Sequence, residues 1–239
     1  MKNFKRGNFF PLKNKYNIED LNKLIQKETS FFKFKKNFQV NDISSLSILR
    51  DNSIIFLEKE FNDTNISSND IHVVTNKEEN INYYESISLV KNINITYNDI
   101  LNKLFHHDDQ LYYPDDFRHI NGSYISKFCI IDKDVEIGKN CVISRGVEIG
   151  KNSIIKNNVV IKNSLVGNNV IISDNSSIGT TGFGFDFNKR GSTFINPQLG
   201  IVIIEDNVHL GSCCTIDRGK IAYSLIDKNK KAGNLLKVA

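Results

Sequence analysis

The sequence predicts a mainly β protein in which short parallel strands wind into a triangular prism, preceded by a small α/β domain. Three observations predict it. First, isoleucines fall at 125, 131, 137, 143, 149, 155 and 161, and after one five-residue step the beat resumes at Val166, Ile172 and Ile178. A period of six is neither helical nor simply alternating. Second, the fifth place of each hexad holds Cys129, Val135, Cys141, Val147, Ser153, Val159 and Leu165, mostly small or β-branched side chains. Third, the chain upstream of about residue 108 lacks this rhythm and mixes helical with strand patterns. The repeats describe a hexapeptide-repeat β-helix: three hexads make one coil, each isoleucine points inward, and stacked coils bury ladders that no coil buries alone.

The residue after the isoleucine is often Gly or Asp (Asp132, Gly138, Gly150, Gly167, Gly179), which predicts a tight turn at that place. Ordinary sandwich strands would instead need period-two patterning. After Gly179 the rhythm stops and resumes at Ile204, Leu210 and Ile216, then more faintly at Ile226, Ala232 and Val238. The intervening stretch carries Phe183, Phe185, Phe187 and Phe194, so it is expected to leave the prism and pack on its outside or on a neighbouring subunit. The β-helical domain is therefore assigned to residues 109–239 with an excursion at 180–203, and the α/β domain to residues 1–108.

In the first domain residues 1–16 predict no regular element. Asn17 reads as an N-cap, with Glu19 and Asp20 in the first turn and Leu21, Leu24 and Ile25 on one helical face. From Phe31 to Phe38 aromatics alternate with Lys33, Lys35 and Lys36, which predicts a half-buried strand rather than a nucleic-acid platform. Ser53–Leu57 and His72–Thr75 read as strands, and Asn94–Phe105 as a helix. His106, His107, Asp108 and Asp109 form a polar hinge into Pro114.

Composition excludes several classes. The 31 basic and 27 acidic residues are interspersed, so no basic stripe for nucleic acid stands out. The first twenty residues lack the apolar core of a signal peptide, and no window approaches the ~18 apolar residues of a membrane span. The expected location is cytoplasmic, without an integral membrane segment. Three of the four cysteines, Cys129, Cys141 and Cys214, occupy small-residue slots and read as packing residues; with Cys213 they form no paired C-x-x-C, so no metal site is expected.

The segment Gly179–Gly219 closely resembles the signature of UDP-3-O-(3-hydroxyacyl)glucosamine N-acyltransferase of lipid A biosynthesis. The matching pieces are Gly182-Phe183-Gly184-Phe185, Pro197-Gln198-Leu199-Gly200 and Thr215-Ile216-Asp217-Arg218-Gly219. More loosely, Ser53–Phe61 is similar to that family's uridine-binding strand and Asn94–Leu101 to the helix that follows. The resemblance implies a homotrimer of left-handed β-helices with an N-terminal uridine-binding domain. It implies transfer of a 3-hydroxyacyl group from the 4′-phosphopantetheine thioester of acyl carrier protein, with no other cofactor, to the 2-amine of UDP-3-O-acylglucosamine. Phe56 stands where the family stacks an aromatic on uracil. Lys59 replaces a usual Asn, and the usual Tyr aligns with Asn62, Phe61 being one place early. The resemblance implies Phe56, Phe61 and Asn234 as substrate-binding positions.

Acyl transfer needs a base near neutral pH, a role that suits histidine. The family's pattern resembles K-I-D-N-x-V-x-V-A-H-N, and this chain reads Lys231-Ala232-Gly233-Asn234-Leu235-Leu236-Lys237-Val238-Ala239. The catalytic histidine is expected as the residue after Ala239, so the chain reads as C-terminally truncated and impaired, with no catalytic residue of its own. None of His72, His106, His107, His119 and His209 aligns with a catalytic position. The coils from about Tyr223 onward are expected to be frayed or poorly packed. Two other classes are carried: an acetyl-CoA-dependent sugar acetyltransferase, and a non-catalytic trimeric sugar-nucleotide-binding module. A zinc hydratase on this fold would need three histidines at the coils, where only His209 lies.

Overall fold

The computed structural model describes residues 4–107, 117–187 and 191–238, so the expected hinge at Asp108, Asp109 and Pro114 lies outside the described residues. The chain divides into two compact units. One comprises Met1–Phe9, Asp108–Phe183 and Gln198–Ala239; the other comprises Phe10–His107 and Gly184–Pro197.

In the first unit the hexads become three parallel ladders. Ile125, Ile143, Ile161, Ile178, Ile216 and Val238 stack on one face of the prism. Ile131, Ile149, Val166, Ile204 and Ile226 stack on the second. Ile137, Ile155, Ile172, Leu210 and Ala232 stack on the third. These side chains and the small-slot residues Cys141, Val147, Val159, Val170, Val208 and Cys214 form one continuous core. Each strand is only two to four residues long, because a short flat segment is all that one side of the prism holds.

The corners differ from the expected turn. Of the residues directly after the isoleucine only Gly179 is left-handed; elsewhere that backbone falls two places later, at Asn140, Asn152, Asn158, Asn169, Asn175, Asn207 and Asn229 among others. Asparagine tolerates this conformation better than most residues. The residue directly after the isoleucine is small for a different reason: a Cβ on Gly150 would lie 2.7 Å from the carbonyl carbon of Gly167 in the next coil. The corner asparagines also bond to one another. Asn152 Nδ2 donates to Asn169 Oδ1 (3.2 Å), Asn169 to Asn207 (3.2 Å) and Asn207 to Asn229 (3.1 Å), a polar ladder outside the apolar ones.

From Tyr223 onward the coils are paired in register but thinly packed, with no described residue of 223–238 fully buried. Tyr223–Ile226 pairs in register with Ile201–Ile204, Lys231–Ala232 with His209–Leu210, and Lys237–Val238 with Thr215–Ile216. The backbone ladder and the Asn207–Asn229 bond hold these coils even where the inward residue is only Ala232.

The prism starts with an antiparallel hairpin of Phe117–Ile120 against Ser123–Ser126, turned by Asn121 and Gly122, both with positive φ. Residues 4–9, which carried no expected element, form a short helix α1 (Arg6–Phe9) that clusters with the coils. Arg6, almost fully buried, explains the placement: its guanidinium donates to Leu199 O and to Ile221 O and lies 5.6 Å from the Phe4 ring.

The second unit holds a five-stranded sheet of β1 (Thr29–Lys33), β2 (Asp42–Ser44), β3 (Ser53–Leu57), β4 (Ile71–Thr75) and β5 (Ile87–Val90) in the order β1-β5-β4-β3-β2. β2 to β5 run parallel and β1 antiparallel. The helix α2 (Ile18–Ile25) precedes β1, α3 (Thr64–Ser68) joins β3 to β4, and α4 (Ile93–Leu104) follows β5. Asn17 caps α2 by accepting from Asp20 N (2.9 Å), and Asn92 caps α4 by accepting from Ile95 N (3.0 Å). β1 stops at Lys33, short of the expected Phe38; beyond it Lys35 pairs with Glu85 (2.7 Å) and Lys36 with Asp70.

The phenylalanine-rich excursion forms a hairpin, Phe185–Phe187 against Thr193–Ile195, that clusters with this unit. Tyr97 Oη donates to Pro197 O (2.8 Å) and Asn98 Nδ2 to Ile195 O (3.3 Å). Only Phe194 of the four phenylalanines is half-buried; Phe183, Phe185 and Phe187 are exposed.

Candidate functional site

Two places collect residues of functional type. The first is the carboxyl end of the parallel strands in the α/β unit, where ligands of such sheets dock. Phe56 is the penultimate residue of β3, pairs with Val74 of β4 and is half-buried. Its ring meets the buried Tyr97 ring of α4 edge to face, with centroids 4.9 Å apart. Alternation along β3 sends Ile55 and Leu57 to the other face, into a core with Ile66, Val73, Tyr84 and Ile87. Phe61 packs against that core. Phe56 and Phe61 therefore do not share a face.

The loop after β3 is shaped by residues that sequence patterning did not single out. Asn80, fully buried, donates from Nδ2 to Lys59 O (3.0 Å) and to Thr75 Oγ1 (3.0 Å), and its Oδ1 accepts from Phe61 N (3.0 Å). Thr75 Oγ1 donates to Leu57 O (2.7 Å), and Tyr84 Oη to Phe61 O (2.7 Å). These bonds fix the backbone of residues 57–61 without using Phe56. Glu60 accepts from Tyr83 Oη (2.6 Å), which raises the exposed phenol above its ordinary range.

The second place is where the three signature pieces meet. Gln198 clamps Gly182 from both sides: its Oε1 accepts from Gly182 N (2.6 Å) and its Nε2 donates to Gly182 O (3.3 Å). Arg218, buried, donates from Nε to Gln198 O (2.9 Å) and from Nη1 to Gly179 O (3.2 Å), while its backbone N–H donates to Thr180 O (2.9 Å). Asp217 Oδ1 accepts from Thr180 Oγ1 (2.9 Å). Gly179 has φ +75°, and a Cβ there would fall on Lys162 O. The node closes the two stems of the excursion, so these residues set where the hairpin leaves and returns.

Asn234 lies at an exposed corner, with Oδ1 accepting from Ser212 N (2.8 Å). Asn157, Asn168, Asp174 and Asp206 make the same bond to the coil before them. The amide oxygen of Asn234 thus serves the repeat, as theirs do.

The histidines are dispersed. His72 sits inside β4 with Nδ1 2.9 Å from Ser86 Oγ and Nε2 2.8 Å from Ser88 Oγ, and burial pulls its imidazole from the ordinary 6.5 down to about 3. It stays neutral and faces no open site. His209 is exposed on the outer side of its strand. Among the described residues no group of three or more His, Cys, Asp or Glu is placed to hold a metal ion, and no helix is long and apolar enough to cross a membrane.

The coils match a known repeat family. Residues 128–163 fit the model described as bacterial transferase hexapeptide (six repeats). A protein of Myxococcus xanthus (strain DK1622) named UDP-3-O-acylglucosamine N-acyltransferase is 42% identical over 62 residues, covering 24% of this chain and 18% of the relative. A protein of the same name from Francisella tularensis subsp. holarctica (strain FTNF002-00 / FTA) is 47% identical over 58 residues, 24% of this chain and 17% of the relative. One from Geobacter sp. (strain M21) is 42% identical over 57 residues, 23% of this chain and 16% of the relative. This chain thus spans less than a fifth of the length of the curated relatives it matches. Family and relatives alike support an acyltransferase.

Proposed function

We propose that this chain is an N-acyltransferase of the kind its relatives are named for, moving a 3-hydroxyacyl group to the 2-amine of UDP-3-O-acylglucosamine in lipid A biosynthesis. The observation that supports it best is the node of Gly182, Gln198, Asp217 and Arg218, which joins residues from all three signature pieces, on a chain whose relatives carry that activity in their names. The acyl donor in this reading is the 4′-phosphopantetheine thioester of acyl carrier protein, and the working assembly is a homotrimer of left-handed β-helices.

Phe56 is the residue we propose to stack on uracil, because it is half-buried, held edge to face by Tyr97, and placed at the strand end. Phe61 contributes through the loop that Asn80 fixes, and Asn234 through the outer amide nitrogen of its corner. In the reaction the sugar amine attacks the thioester carbonyl, a base takes the amine's proton, and the carrier thiol leaves. Holding the two substrates together contributes much of the rate. A general base at the amine contributes typically about 10²–10⁴-fold to such a step.

The test is a transfer assay comparing a carrier-protein thioester with acetyl-CoA as donor. Product formation from the carrier thioester, weakened by Phe56→Ala through KM rather than kcat, is the expected result. Transfer from acetyl-CoA, or indifference to Phe56→Ala, would overturn it.

A further inference from the structure

The corner position two residues after each inward-facing residue changes along the prism. In each of the first five corners it is basic, Lys127, Lys133, Lys139, Arg145 and Lys151; in the next it is Asn157, Asn163, Asn168, Asp174 and Thr180, and after the excursion it is mixed, Asp206, Ser212, Arg218, Lys228 and Asn234. Lys127, Lys133 and Lys139 stand at the three corners of one and the same coil, and Arg145 and Lys151 at two corners of the coil above it. Between Phe117 and Lys156 there are seven basic residues against four acidic ones, Asp132, Asp134, Glu136 and Glu148. Among the described residues no ion pair neutralises the exposed Lys133, Lys139 or Lys151.

Apolar groups are exposed at the same end. Tyr124 is 47% exposed, Phe128 49% and Ile130 61%, and the Arg145 guanidinium lies 4.1 Å from the Phe128 ring centre. A device that only guards a sheet edge would replace exposed isoleucine and phenylalanine with charge. Here the charges sit on the corners and the apolar side chains are left between them.

We propose that this first-coil end of the prism is a docking surface for an anionic lipid membrane. Basic residues on all three corners of one coil lie in a plane across the prism axis, so a flat surface meets them together, whereas a rod-like polyanion alongside would reach one corner. Phe128, Ile130 and Tyr124 between them supply the apolar and aromatic groups that enter a headgroup layer. Arg145 on Phe128 joins the two in one unit, an aromatic body with a cationic tip. The inference stands apart from the proposed acyl transfer, since none of these residues belongs to either place described above.

The experiment is co-sedimentation of the full chain with phosphatidylethanolamine vesicles containing phosphatidylglycerol, and with pure phosphatidylcholine vesicles, over a range of salt. Binding to the anionic vesicles alone, weakening as salt rises, is expected. Lys133→Gln, Lys139→Gln and Lys151→Gln together should weaken binding about 100-fold, at about fivefold per lysine. Phe128→Ser with Ile130→Ser should weaken it about tenfold or more with the salt dependence kept. Circular dichroism of each variant must match the parent chain. Equal binding to both vesicles, no response to the triple variant, or preference for DNA over vesicles would overturn the proposal. So would a change in self-association as the only effect of the variants, since the surface would then face a second copy of the chain.

Discussion

Replacing Arg218 by Met should unfasten the excursion while keeping most of the buried volume. Arg218 is 3% exposed and its guanidinium serves two backbone carbonyls, Gln198 O at 2.9 Å and Gly179 O at 3.2 Å. Methionine fills much of the space but donates nothing. Gln198 O loses this donor at about 1–3 kcal/mol, while Gly179 O still accepts from Asn163 Nδ2 (3.3 Å), so the loss should be about 1–4 kcal/mol. Arg218→Ala adds a cavity and should cost a further ~1 kcal/mol or more. Hydrogen exchange should show where the loss falls: faster exchange at Gly182 N and Arg218 N, with the ladder amides from Val142 to Lys162 unchanged. Urea unfolding gives the magnitude. A loss below about 0.5 kcal/mol, or faster exchange spread evenly over the prism, would refute the view that this node is a local buried clamp.

His72 makes stability pH-dependent. Its folded value of about 3 lies below the ordinary 6.5, so the unfolded chain binds the proton first and stability falls as pH drops from about 6.5 toward 3. Between pH 7 and pH 5 about 2 kcal/mol should be lost, and His72→Gln should flatten that slope in thermal melts. Asn169→Ala breaks two links of the corner ladder and puts alanine in left-handed backbone (φ 55°), so it should cost about 1–3 kcal/mol. Asn169→Gly keeps the conformation and should cost clearly less; equal losses would deny the conformational share. Leu235 has φ 63° and is 77% exposed, so Leu235→Asn should stabilise the chain by about 0.5–1 kcal/mol in urea unfolding. A neutral or negative change would show that its side chain has a partner worth more than the backbone gain.

The prism was legible because one inward residue in six is an uninterrupted signal, and every ladder found pairs residues that the rhythm had marked. The corner chemistry was less so. Glycine after the isoleucine looked like a turn residue, but Gly150 is small because the next coil's backbone passes close by, and only stacking reveals that. The excursion misled for a related reason: Phe183 and Phe185 suggested a buried packing face, while the contacts that hold the hairpin are made by Tyr97 and Asn98 to backbone carbonyls. At the strand ends Phe56 was visible through a resemblance. Asn80 and Thr75 were not, because a lone buried asparagine or threonine leaves no periodic trace. The basic corners were in plain view in the sequence, yet read as scattered until the register placed three of them on one coil.

The central claim is that the α/β unit recognises the uridine nucleotide of an acylated sugar. Calorimetric titration of the chain with UDP-3-O-acylglucosamine tests it most directly. Saturable binding is expected that UDP competes for, that acetyl-CoA does not, and that Phe56→Ala weakens about tenfold or more, as loss of an aromatic stack should. Tight binding of acetyl-CoA, or no heat from the sugar nucleotide at millimolar concentration, would contradict it.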